Sequence, residues 1–168
     1  MTTQRSACSC LGKSVNMLLL TFFSLVTIAT VLIDSQAILP ACLFPDPLRY
    51  LVDWYAAEYG DYLVKNKPPF FVGCVVLEIL IQCPLAIANI YGIIKGKRWF
   101  QTTCLIYGVC TATTMIPILA DILASDSASS KLLGMYIPFL IFPLIAIGRG
   151  LAPLQSFKSP ASSVKKRA

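Results

Sequence analysis

The residues of this sequence best suited to chemistry are two carboxylic acids in apolar surroundings. Asp34 directly follows the charge-poor stretch Ser14–Ile33, and Glu78 lies nine residues into another, Pro69–Ile94. If both stretches are membrane-spanning helices rising 1.5 Å per residue, the two acids lie within about 5 Å of the same depth. Two carboxyl groups in one dry site cannot both ionise easily, so one is expected to keep its proton. Such a pair would attract a cationic amine, and its protonated member would donate a hydrogen bond to a hydroxyl group.

Other polar side chains recur at helical spacing within the apolar stretches and are expected to share faces with these acids. They are Thr27 and Thr30 before Asp34, Gln82 and Asn89 after Glu78, the triplet Tyr107, Thr111 and Thr114, and finally Tyr136. Tyrosine and threonine among apolar neighbours are typical of a ligand pocket with a few fixed polar groups. Threonine, glutamine and asparagine also join packed helices by hydrogen bonds, so the sequence leaves both roles open.

The composition excludes several classes of protein. Hydrophobic residues make up 57% of the chain and charged residues 13%, against about 45–50% and about 25% in ordinary globular chains. A soluble enzyme, a disordered chain and a small disulfide-stapled domain are therefore excluded. Histidine is absent, which removes the commonest general acid or base and the commonest metal ligand. We predict neither a metal nor a cofactor.

Four charge-poor stretches predict an all-α membrane protein, a bundle of four transmembrane helices. The spans are expected at about 14–39, 69–94, 99–120 and 132–148, each near the ~17–25 residues that cross a bilayer. They leave a tail at 1–13, a four-span domain at 14–148 and a basic tail at 149–168. Ten of the 14 basic residues and none of the eight acids fall on the side of the N-terminus, so both termini are expected in the cytosol.

The loop between the first two spans predicts a short amphipathic helix on the luminal side. Asp46 is expected to cap it, Pro47 to occupy its first turn and Gly60 to end it. Its apolar stripe follows helical spacing and consists of Leu48, Leu51, Val52, Tyr55 and Tyr59. We expect this helix to lie over the luminal mouth of the bundle.

The two tails carry possible address and anchoring signals. Lys165 and Lys166 are the fourth and third residues counted back from the C-terminus, the dilysine pattern that returns membrane proteins to the endoplasmic reticulum. Cys8 and Cys10 are either palmitoylation sites beside the membrane or two reduced thiols. The basic residues neither form a long run nor alternate with aromatic residues, so no nucleic-acid surface is predicted.

Several strings, in order and at the right spacing, resemble the sigma-2 receptor branch of the EXPERA-domain family, which also includes the emopamil-binding sterol isomerase. They are 43–45 (LFP), 54–61 (WYAAEYGD), 78–84 (EILIQCP), 113–119 (TTMIPIL) and 136–139 (YIPF). The resemblance covers about residues 15–150. One departure is Cys110, which stands where the family pattern has histidine.

The resemblance implies a homodimeric protein of the endoplasmic reticulum with an occluded pocket that opens toward lipid. In that pocket Asp34 would pair with a ligand amine, Glu78 would hydrogen-bond Asp34, and the lining would include Gln82, Tyr107, Thr114 and Tyr136. Asp61 would support the luminal loop structurally. The implied partners are a sterol or lipophilic amine, membrane lipid and a cholesterol-transport protein.

The leading hypothesis is a non-enzymatic receptor-like protein that binds sterols or lipophilic amines and acts in sterol homeostasis or trafficking. The alternative is a sterol Δ8–Δ7 isomerase, whose chemistry needs one group to protonate an alkene carbon and another to remove a proton nearby. The isomerase resemblance implies a histidine that this sequence lacks. A channel or transporter is disfavoured because no polar stripe crosses a full span.

Overall fold

A computed structural model describes residues 2–125 and 129–152, and describes side chains from Gly12 onward within those ranges. The dilysine pair Lys165 and Lys166 and the side chains of Cys8 and Cys10 lie outside the described residues. Within the described ranges the chain is all-helical. Four helices are long and apolar enough to cross a membrane: Gly12–Ala37, Pro69–Ile94, Phe100–Ala124 and Ser130–Leu151.

The spans are built from several helical segments, some of which are interrupted. In chain order these are α1 (Thr2–Leu32), 3-10 turns at Asp34–Ala37 and Ala41–Leu43, α2 (Asp46–Tyr59), α3 (Tyr62–Asn66), α4 (Pro69–Leu77), a π-helical turn (Glu78–Gln82), α5 (Cys83–Ile94), α6 (Phe100–Ala124), α7 (Ser130–Tyr136) and α8 (Pro138–Leu151).

The periodicity of the first span predicts an α-helix that continues to Leu39, but the α-helix ends before that residue. Ser35 Oγ donates to the Val31 carbonyl at 2.7 Å and Gln36 Nε2 donates to the Leu32 carbonyl at 2.7 Å. These side chains compete with backbone amides for the last carbonyls of the helix. The α-helix therefore ends at Leu32, and Asp34 begins a tighter 3-10 turn.

Polar contacts also lengthen the third and fourth spans beyond their expected bounds. Asp121 lies in α6 rather than beyond it, and its carboxylate accepts a hydrogen bond from the hydroxyl of Tyr62. The fourth span begins at Ser130 because Ser129 Oγ accepts a hydrogen bond of 3.0 Å from the amide of Leu132 and so caps the helix. A hydropathy profile alone does not predict either of these hydrogen bonds.

The second span contains a π-helical turn because of Pro84. Proline lacks an amide hydrogen, and its ring clashes with the carbonyl four residues earlier. The helix widens before it, so the amide of Cys83 bonds to the carbonyl of Glu78, five residues back. Such turns hold one extra residue and recur at functional sites.

The predicted loop helix is present as α2, with one correction at its start. Pro47 lies in its first turn, and Gly60, with φ of +66°, ends it in the left-handed conformation. Asp46 is the first helical residue and Pro45 takes the cap position, while the Asp46 carboxylate pairs with the guanidinium of Arg49. Most of the predicted stripe is half-buried, but Leu51 is exposed.

The third and fourth spans pack closely through glycines. A Cβ at Gly108 would lie 2.7 Å from the carbonyl oxygen of Pro143, and one at Gly150 would lie 2.8 Å from that of Gln101. Two apolar clusters fill the bundle, one around Phe23 and Tyr107 and one towards α3.

Candidate ligand-binding site

A cavity of about 1390 Å³ lies among the spans and is bordered by α2. Its apolar wall draws on both core clusters, with Val26 from one and Phe71 and Met115 from the other. All six residues expected from the sequence to form the ligand site line it: Asp34, Glu78, Gln82, Tyr107, Thr114 and Tyr136. The structure therefore brings together polar groups from all four spans.

Glu78 is held by a hydrogen bond from the first span. It is the first residue of the π-helical turn, and its Oε1 accepts a 2.7 Å bond from Thr30 Oγ1. Thr30 lies four residues before Asp34, which is about 6 Å along the first span. Because Glu78 contacts Thr30, it lies opposite a point on that span about 6 Å from Asp34. The acids therefore face the same part of the cavity from neighbouring spans.

Among the described residues, Asp34 has no hydroxyl donor comparable to Thr30, which donates a hydrogen bond to Glu78. Asp34 and Glu78 line the same cavity. Across the described ranges no amide, hydroxyl or cationic group donates a hydrogen bond to the Asp34 carboxylate, whereas Thr30 donates to Glu78. An ionised carboxylate in apolar surroundings is unfavourable without a partner. The cavity thus offers a place for a positively charged hydrogen-bond donor beside Asp34.

Gln82 joins the second and third spans at the edge of the cavity. Thr111 Oγ1 donates to its Oε1 at 3.0 Å, and its Nε2 donates to Thr114 Oγ1 at 3.2 Å. Thr114 in turn donates to the carbonyl of Thr111 at 3.0 Å. The Gln82 amide oxygen and the Thr111 hydroxyl proton are therefore used between the helices, and the Thr114 hydroxyl proton is used within α6. These side chains retain only part of their hydrogen-bonding capacity for a ligand.

Asp61 organises the loop side of the cavity from a fully buried position. One of its carboxylate oxygens accepts from the amides of Leu63 and Val64, at 3.1 and 3.2 Å, and so caps α3. The other accepts a 2.8 Å hydrogen bond from the hydroxyl of Tyr136. Asp61 therefore fixes α3 and the fourth span relative to each other, and Tyr136 presents mainly its ring to the cavity.

Two tyrosines beside the loop have perturbed acidities. Burial, followed by the negative charge of Asp61, raises the pKa of Tyr55 above its usual value. Burial and then the hydrogen bond to Asp121 raise the pKa of Tyr62. Both hydroxyls therefore remain protonated donors at neutral pH.

Tyr107 supplies an aromatic wall on the third span. Only 1% of it is exposed, and its ring packs edge-on against Phe23 with centroids 4.9 Å apart. Among the described residues no group of His, Cys, Asp or Glu side chains could hold a metal ion. The arrangement suits the binding of an apolar molecule that carries one or two polar groups.

Comparison with known proteins identifies the family. The EXPERA (EXPanded EBP superfamily) model matches residues 47–149. The chain belongs to the EXPERA family. It is 33% identical over 134 residues to the sigma intracellular receptor 2 of Homo sapiens, covering 70% of this chain and 76% of the receptor. It is 32% identical over 139 residues to the receptor of the same name from Xenopus tropicalis, covering 75% and 81%.

The EXPERA match spans α2 to α8 and therefore includes Glu78 and Asp61 but not Asp34. The resemblance to this family and to the sigma-2 receptor branch is thus confirmed, as is the all-helical four-span architecture. By its family relationships, this chain is a receptor-like membrane protein.

One polar residue of this EXPERA chain, Asn89, lies elsewhere than its spacing suggested. Asn89 was expected on the face of Glu78, but it is fully buried against α6, where its Oδ1 accepts a 2.6 Å bond from Thr103. Cys110 does not line the cavity. Thr30 belongs to the predicted polar stripe, but the sequence analysis did not predict its hydrogen bond to Glu78. Its position four residues before Asp34, on the same helix face, indicates that its hydroxyl lies near the acids.

Proposed function

We propose that this EXPERA protein is a membrane receptor that binds lipophilic cationic amines or sterols in the cavity between its spans. Asp34 is the anionic anchor, Glu78 is its protonated partner, and Gln82, Tyr107, Thr114 and Tyr136 line the site. The names of the relatives, which describe receptors, support the class of function.

The observation that carries this proposal is the Asp34 carboxylate, which faces the cavity without an amide, hydroxyl or cationic donor from the described residues. An ammonium group beside it would supply both the donor and the opposite charge. A bulky apolar skeleton fits the surrounding wall, because that wall contains Val26, Phe71 and Met115. A sterol hydroxyl would use the same polar end, with the protonated Glu78 as donor.

Replacing the anchor tests the proposal. We expect Asp34→Asn to lose saturable binding of a radiolabelled lipophilic amine, because the amide keeps the shape of the side chain but not its charge. Glu58→Gln is the matched control: Glu58 is an exposed acid paired with Lys131, outside the cavity. Normal amine affinity in a folded Asp34→Asn protein would refute the anchor role.

We further propose that the protein binds its ligand without converting it. Isomerisation of a sterol double bond requires a proton donor and a separate proton acceptor near one another. Asp34 and Glu78 share one proton in our proposal, and histidine is absent from the chain. Purified protein incubated with a Δ8-sterol is expected to yield no Δ7 product by mass spectrometry. Formation of that product at a rate abolished by Glu78→Gln would favour an enzyme.

The cellular setting is also proposed. The protein resides in the endoplasmic reticulum as a homodimer, with both termini in the cytosol, and acts with a cholesterol-transport protein in sterol homeostasis. The distribution of basic residues supports the cytosolic termini, and Lys165 and Lys166 support the compartment; the homodimer and the transport partner rest on the family resemblance. Replacing Lys165 and Lys166 with alanine should move a fluorescent fusion beyond the endoplasmic reticulum. Unchanged retention would refute the retrieval signal.

A further inference from the structure

We propose that Thr30 is a positioning residue that fixes the orientation of the Glu78 carboxyl group and determines which of its oxygens carries the proton. The consequence for ligand affinity rests on the proposed function. The orientation itself can be tested without any ligand.

The hydrogen bond of Thr30 differs from those of its neighbours on the same helix. Thr21 and Thr27 each donate to the carbonyl four residues earlier, at 3.2 and 2.7 Å, as helical threonines commonly do. Thr30 instead donates across to Glu78 Oε1 at 2.7 Å. Only 1% of Thr30 is exposed, so water has little access to replace its hydroxyl. Among these threonines, Thr30 is the one directed at an acid.

A hydroxyl has a single proton, and Thr30 uses it in this contact. Glu78 Oε1 is therefore an acceptor, and a proton carried by Glu78 lies on Oε2. The Oε2–H group is then the donor that remains for Asp34 or for a ligand hydroxyl. Without the threonine the two oxygens become equivalent, because the terminal torsion of glutamate is broad and roughly two-fold. Thr30 thus removes an alternative orientation that would turn the donor away from the site.

The test compares three variants in purified protein. Thr30→Val keeps the branched shape and removes the donor, Thr30→Ser restores the donor, and Thr27→Val removes a hydroxyl that bonds only within its own helix. Infrared spectroscopy reports the carbonyl stretch of the protonated Glu78 carboxyl group, assigned by its loss in Glu78→Gln. Affinity for a radiolabelled lipophilic amine is measured on the same preparations.

We expect Thr30→Val to shift the Glu78 carbonyl band to higher frequency, because the hydrogen bond to that carbonyl oxygen is lost. Amine affinity should fall about fivefold, the scale of one neutral hydrogen bond. Thr30→Ser should restore both values, and Thr27→Val should change neither.

A Glu78 band that is absent from the wild-type protein at neutral pH, or unmoved in Thr30→Val, would overturn the proposal. Affinity that falls equally in Thr27→Val would do so as well, because it would indicate a general effect of removing helix hydroxyls. If the wild-type protein binds no amine, the proposed function fails, but the band shift and its rescue still decide the role of Thr30.

Discussion

Replacement of Asp61 should separate the structural acid of this protein from its ligand-binding acids. Asp61 accepts two amide hydrogen bonds at the start of α3 and one hydroxyl bond from Tyr136 on the fourth span. Asp61→Ala removes all three and leaves the Tyr136 hydroxyl without its acceptor. The variant should therefore lose stability first and ligand affinity only as a consequence.

The magnitude follows from these contacts. Loss of a helix cap costs about 1 kcal/mol, and loss of a hydrogen bond to a charged group costs about 1.5–3 kcal/mol. Together they predict that Asp61→Ala lowers the free energy of unfolding by about 2.5–4 kcal/mol. For a chain of this size such a loss lowers the melting temperature by on the order of 10 °C.

The assay is thermal unfolding of purified protein in detergent, with amine binding measured well below the transition. Asp61→Asn should lose about 1 kcal/mol less stability than Asp61→Ala, because asparagine caps helices about as well as aspartate. Tyr136→Phe removes the hydroxyl bond alone and should resemble Asp61→Asn. Adding Tyr136→Phe to Asp61→Ala should cost little more, since the two residues share one contact.

Equal destabilisation by Asp61→Asn and Asp61→Ala would refute this reasoning, because the helix cap would then contribute nothing to stability. So would an Asp61→Ala protein of normal stability that has lost amine binding, which would make Asp61 part of the ligand contact.

Two further predictions concern packing and pH. Gly108→Ala should destabilise the protein by about 1–3 kcal/mol, because the added methyl group would lie 2.7 Å from a carbonyl oxygen of α8. Gly73→Ala, a helical glycine with nothing within 4 Å of its new methyl group, should instead be neutral or up to about 1 kcal/mol stabilising; thermal unfolding compares the two, and equal effects would contradict close α6–α8 packing. The raised pKa of Tyr55 means that folding favours its protonated form, so its contribution to stability is full below about pH 10 and falls as pH rises through the folded-state pKa. Tyr55→Phe should flatten this alkaline loss in a pH series of unfolding measurements, and an unchanged slope would show that its proton is not linked to folding.

Much of the architecture could be predicted because a bilayer imposes simple requirements on sequence. Runs of apolar residues long enough to cross it revealed the four spans, and proline and glycine marked the ends of α2. The position of Asp34 and Glu78 on one cavity agrees with their similar predicted depth. Acids within membrane-spanning helices face the interior of the bundle because exposure to lipid is unfavourable.

The remaining features depend on local helix geometry and on hydrogen-bond partners, which residue spacing does not determine. The π-helical turn adds one residue to the second span, which rotates everything beyond it by about 100° relative to a continuous α-helix. Asn89 was assigned to the cavity face without that rotation and instead bonds to Thr103. Threonine hydroxyls pose a similar difficulty: Thr27 bonds to its own helix and Thr30 to Glu78, whereas their helical spacing predicts no more than a stripe shared with Asp34.

The contact between Thr30 and Glu78 also has a consequence for biosynthesis. A ribosome delivers the first two spans to the insertion machinery before the others exist, and each buried acid resists entry into lipid by about 2.5–3.5 kcal/mol. Because the bond joins these two spans and no later one, its benefit is available as soon as the second span emerges. The amino-terminal pair would then enter the bilayer as a hairpin with its acids already facing each other, ahead of the spans that complete the chamber.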